Sequence, residues 1–133
     1  MSSNIELITL AKALYIPNFY CIMIDEFSII EKDNLPLSII CNLQDSTQNG
    51  THWVMCFISK TQKIFYCSYG SPIPLEIKKI LMLVDDRAIL SSNFQIQDFN
   101  ENTCGYYCLL ILYLLNEGTK FEDIILDLYN SSK

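Results

Sequence analysis

The chain has 133 residues, half of them hydrophobic and 18% charged, with 9 Lys and Arg against 15 Asp and Glu for a net charge of −6. That composition suits one globular α+β domain over residues 1–133 and excludes a disordered tail, a collagen-like fibre and a multidomain enzyme. No basic block survives the balance, so phosphate-backbone binding is not its expected work.

In chain order, apolar residues at positions 5, 8, 11, 14 and 15 have helical spacing and predict a helix from Ile5 to Tyr15. Ser3 and Glu6 form a capping box ahead of it and Pro17 ends it. Buried strands are expected at Phe19–Ile24 and Leu37–Leu43, separated by a loop marked by Asn34 and Pro36. Residues 44–51 are polar and contain the turn dipeptide Asn49-Gly50. A hairpin should follow, with strands His52–Ile58 and Lys63–Cys67, closed off by Gly70 and Pro72.

Pro74 suits the first turn of a helix from Leu75 to Val84, and a short strand is expected over Phe94–Phe99. Cys104–Asn116 is apolar almost all round, which predicts a helix buried on every side, closed by Gly118. Thr119 and Glu122 form a second capping box for a last helix reaching Tyr129. The longest apolar run, Tyr106–Leu115, is too short to cross a bilayer. The Met-Ser-Ser-Asn-Ile-Glu start lacks the features of a secretory signal. The expectation is a soluble intracellular protein without a membrane partner.

Six cysteines stand against one histidine, and no CxxC pair occurs, so neither a structural zinc site nor any other metal or cofactor is expected. Cys21, Cys41, Cys56 and Cys108 sit in apolar runs and should be buried thiols. Cys104 differs. It opens a helix, where unpaired N–H groups and the positive end of the dipole favour a thiolate. His52 stands where a polar loop enters an apolar strand, a place where side chains face clefts. Together they would form a thiolate–imidazolium pair at neutral pH. Gly105 allows close approach of a substrate backbone, although the Cys104–Cys108 spacing also suits plain packing. Gln97 could donate a hydrogen bond to a developing oxyanion beside the Cys104 N–H.

Taken together, Gly50-Thr51-His52-Trp53, Phe65-Tyr66-Cys67-Ser68-Tyr69-Gly70, Gln97 and Asn102-Thr103-Cys104-Gly105 resemble the motifs of adenovirus-type (adenain-like) cysteine proteases. Relatives of that group occur in virophages and Maverick/Polinton-like elements, and it is related to SUMO-processing proteases. The resemblance runs from about Ile16 through Gly118. It implies a papain-like fold, with a central mixed β-sheet flanked by helices and a nucleophile at the N-terminus of a buried helix.

It further implies Cys104 as nucleophile, His52 as general base and then acid, and Gln97 as oxyanion-hole donor, with Trp53 and Gly105 beside the substrate. The implied substrates are viral capsid or other structural precursors, met in a cytoplasmic viral factory or in the virion, with a peptide or nucleic-acid activator left open. The sequence departs from the family where its motif, like Phe-Asp/Glu-x-Phe-Gly, carries an acid: Cys67 stands there instead. Cys67 is either a weak third member that steers the imidazole or a packing residue. Asp45, Asp98 and Glu101 are the other acids that could serve. The rival functions are a degenerate protease fold kept for binding or scaffolding, and an isopeptidase acting on ubiquitin-like modifiers.

Overall fold

The computed structural model describes residues 4–44, 52–92, 95 and 103–131. Its elements are α1 (Asn4–Ala13), β1 (Phe19–Met23), β2 (Leu37–Asn42), β3 (Trp53–Ile58), β4 (Lys63–Tyr66), α2 (Leu75–Val84), β5 (Ile89–Ser91), α3 (Cys104–Asn116) and α4 (Phe121–Ser131), with a 3-10 turn at Phe27–Ile29. The five strands lie side by side in sequence order. The outer pairs β1–β2 and β4–β5 are parallel, and the central pairs β2–β3 and β3–β4 are antiparallel.

Side chains alternate across a strand, so each strand of this two-faced sheet feeds two cores. Ile40, Trp53, Met55, Phe57, Ile64 and Tyr66 pack under α1, α3 and α4. Ile39, Cys41, Val54, Cys56, Phe65 and Cys67 pack on the other face with Ile77 and Leu81 of α2. This parity fixes the site: Trp53 and Cys67 point to opposite faces.

α1 ends before Pro17 can act. The Ile16 N–H donates to Ala11 O and the Tyr15 N–H to Lys12 O, at 3.1 Å each, the double bond of a Schellman motif. Tyr15 takes the left-handed C′ place at φ 56° without being glycine. At the end of α3 the same motif recurs with the expected residue: Gly118 has φ 95°, its N–H donates to Leu115 O, and the Thr119 N–H donates to Leu114 O. Pro74 precedes the first turn of α2, and its carbonyl accepts from the Lys78 N–H. α4 starts one residue later than the Thr119–Glu122 box implies, with Lys120 O taking the Asp123 and Ile124 N–H groups.

Two expectations need correction. α3 is not buried all round: its sheet-facing side is buried, but Tyr106 and Leu110, one turn apart, lie on an outward stripe that α1 and α4 leave uncovered. The Tyr106 hydroxyl donates to Glu6 of α1 at 2.7 Å instead. The strand closing the sheet is Ile89–Ser91, which the pattern did not single out. The Phe94–Phe99 strand lies outside the described residues except Gln95, which is not in a strand, and Ser3 of the first capping box also lies outside them.

Far from α3's N-terminus, Lys63 is fully buried. Its ammonium donates to Leu81 O and Asp85 O at 2.9 Å each and lies 3.1 Å from Asp85 Oδ1. It thus satisfies carbonyls at the negative end of α2 that would otherwise lack partners. Arg87 grips the same carboxylate at 2.7 Å and donates to Ser59 O, tying α2 to the β3–β4 turn. Among the described residues, no helix is long and apolar enough to cross a membrane.

Candidate active site

His52 immediately precedes β3, and its carbonyl still accepts from the Leu43 N–H of the strand next door. It has the parity opposite to Trp53, so its ring belongs to the Cys67 side of the sheet. β4 ends at Tyr66, and a tight turn closed by the Gly70 N–H on Cys67 O carries Cys67 and Tyr69 up to the imidazole. The Cys67 sulfur lies 3.2 Å from His52 Nε2. The Tyr69 ring stacks on the imidazole, with centroids 4.3 Å apart and planes within 8°. Cys67 therefore occupies the place of an imidazole-steering group. Tyr69 is a contact that the sequence pattern did not single out, although its place two residues after Cys67 in a turn was legible.

Cys104 arrives from the other face. Because β4 has already turned away, the Trp53 N–H points past the end of that strand and donates to Cys104 Sγ at 3.3 Å. The Gly105 and Cys104 N–H groups of α3's first turn also favour the sulfur's charged form. Cys104 and Gly105 are both buried. The Trp53 indole packs into the α3-side core, so what this residue presents to Cys104 is its backbone.

Burial acts on both side chains of the expected ion pair. Burial pushes the Cys104 thiol up from 9.0, outweighing the three backbone donors, and the nearby Cys67 pushes it further. Burial also lowers His52 from 6.5. Desolvation thus opposes the charged form of each side chain, against the helix-end donors that favour it at Cys104. With Nε2 engaged by Cys67, Nδ1 is the nitrogen left to take a proton; it is buried and has no hydrogen-bond partner among the described residues.

The remaining cysteines are free thiols. Cys41, Cys56 and Cys108 are fully buried, and burial pushes Cys56 up to about 12. Cys21 is only half-buried, because β1 is an edge strand. Gln97 lies outside the described residues, as do Asp45, Asp98 and Glu101.

This five-stranded mixed sheet flanked by four helices, with a cysteine opening the central helix, matches the fold of a viral cysteine protease. The chain is similar to the crystal structure of the selenomethionine ASFV pS273R protease, with a TM-score of 0.63 and 14% identity over 99% of this chain and 66% of that one. A second crystal structure of the ASFV pS273R protease matches with a TM-score of 0.60 and 13% identity, over 86% of this chain and 58% of that one. The chain thus spans under two thirds of the length of those proteases, at 66% and 58%. The likeness is one of fold. No protein-family model and no curated protein matches the sequence.

Proposed function

We propose that this chain is a thiol endopeptidase of the adenain type that cleaves viral capsid or other structural precursors, working in the viral factory or the virion. The observation that carries the reading is the convergence of three separate segments. His52 before β3, Cys67 after β4 and Cys104 opening α3 meet at one end of the sheet, with the Trp53 N–H on the Cys104 sulfur.

Cys104 gives its proton to His52 Nδ1 as the sulfur attacks the scissile carbonyl. The resulting oxyanion is held by the Cys104 N–H, joined by Gln97. His52 returns the proton to the departing amine, and water then hydrolyses the thioester with His52 as base. Gly105, without a side chain, leaves room for the substrate backbone beside Cys104.

The test is incubation with structural precursors from the chain's own genome and mass spectrometry of new termini. Cleavage is expected from the native chain and not from Cys104→Ala. In the native protein, iodoacetamide should label Cys104 ahead of the other cysteines, and His52→Ala should remove that preference. A second reading, a degenerate protease fold kept for binding, is favoured by the thiol in place of a carboxylate at His52. It requires Cys104→Ala to keep full biological function. Cleavage of a ubiquitin-like reporter but of no precursor would move the activity to isopeptide bonds.

A further inference from the structure

Two thiols of α3 engage the backbone of one β3 residue, on the two sides of its Cα. Trp53 donates its N–H to Cys104 Sγ at 3.3 Å, and its C=O accepts from the Cys108 thiol at 3.6 Å. The register explains why. Met55 pairs with Tyr66 at the last residue of β4, so the N–H and C=O of Trp53, two residues earlier and facing the same way, extend beyond that strand. Residues four apart on a helix lie one above the other, so Cys104 and Cys108 can engage the two ends of one residue's backbone.

We propose that Cys108 is a positioning residue for the nucleophile: its S–H bond to Trp53 O fixes the backbone whose N–H is aimed at Cys104 Sγ. The inference rests on the reading of Cys104 as nucleophile. No proton leaves Cys108. Its bond anchors the carbonyl side of Trp53, so the N–H on the other side of the same Cα keeps its direction toward the sulfur. A donor so aimed favours the thiolate over the thiol, because a charged acceptor makes the stronger bond.

Complete burial keeps Cys108 protonated, because its thiol is pushed well above 9.0. Among the described residues, the other titratable groups at this end of the sheet are His52, Cys67, Tyr66 of β4 and Tyr107 of α3. From α1, Glu6 is engaged by Tyr106. Tyr66 sharpens the case. It is fully buried in the same core, and its hydroxyl has no partner among the described residues. The Trp53 carbonyl thus takes its bond from the thiol and not from the nearby phenol.

The experiment measures the rate of Cys104 alkylation by iodoacetamide against pH in the native chain and in Cys108→Ser, Cys108→Val and Cys108→Ala, with the modified residue located by mass spectrometry. Serine restores a donor and removes bulk, whereas valine and alanine abolish the donor. Valine and alanine are expected to slow alkylation about threefold below the plateau and to raise its midpoint by about half a pH unit, a change the size of one weak hydrogen bond. Serine should restore the native midpoint. Thermal melts of all three variants separate this from packing, under which serine would be the worst replacement and the midpoint would not follow the donor. An unshifted midpoint in valine and alanine, or a serine midpoint as displaced as valine's, overturns the inference. If Cys104 of the native chain shows no His52-dependent reactivity, the failure lies with the proposed function.

Discussion

Replacing Cys67 by aspartate puts a carboxylate where the sulfur now lies 3.2 Å from His52 Nε2. A thiol can donate to that nitrogen or accept from it, so Cys67 does not fix the tautomer. A carboxylate only accepts, which places the proton on Nε2 and leaves Nδ1 as the base. It also supplies charge. Two unit charges about 4 Å apart attract by about 4 kcal/mol at an effective dielectric of about 20. Against this stands the cost of burying a carboxylate at a position 1% exposed, several kcal/mol before pairing.

The surplus is worth about 1–2 pKa units on the imidazole, within the range for an opposite charge at this distance. His52, now below 6.5, should therefore titrate at a higher pH in Cys67→Asp than in the native chain. Each unit is tenfold in the imidazolium–thiolate population, so Cys104 alkylation near pH 6.5 should rise about tenfold. As the chain's one histidine, His52 gives a single imidazole NMR resonance in which the shift can be read directly. A folded Cys67→Asp protein whose His52 midpoint stays put or falls would refute the reasoning. It would show that burial defeats the charge and that Cys67 is there to pack.

Three further outcomes follow from the same contacts. His52 has a folded-state pKa below its unfolded value of 6.5, so between the two only the unfolded chain takes up the proton, and stability falls as pH drops through that window. Urea unfolding near pH 7 and again about one to two units lower should show this loss in the native chain and not in His52→Gln; equal losses would dismiss it. Lys63→Met removes the hydrogen bonds to Leu81 O and Asp85 O and should cost about 2–3 kcal/mol by denaturant titration, whereas a neutral result would mean the ammonium's desolvation cancels its bonds. Tyr66→Phe deletes a buried hydroxyl that has no partner among the described residues and should stabilise by about 1 kcal/mol, raising Tm by roughly 4 °C; a lower Tm would show that the hydroxyl is bonded in solution.

Alternation and helical spacing made the central strands and α2 legible, with Leu75–Val84 matching its expected bounds. What was not legible depends on contacts across the chain. Ile89–Ser91 is too short to show a pattern and becomes a strand only because β4 offers it a parallel edge. The end of α1 looked like the work of Pro17, but the backbone closes earlier, with Tyr15 in a conformation that its residue type does not advertise. Lys63 reads as a solvated strand residue and is instead the ligand of a helix end. In the candidate site, His52, Cys67 and Cys104 were singled out as residues. Their burial was not: helix position argues for a thiolate, and the opposing push of desolvation on Cys104 depends on packing across the chain.

The backbone bond between Trp53 and Cys104 has an optical consequence. Trp53 is the single tryptophan of the chain, its indole is buried at 4% exposure, and the same residue touches the sulfur on which the chemistry would occur. The protein thus carries its own fluorophore at the site. Acylation, alkylation or oxidation of Cys104 alters the acceptor of the Trp53 N–H. That event registers in tryptophan emission in real time, with no label attached and no background from a second indole.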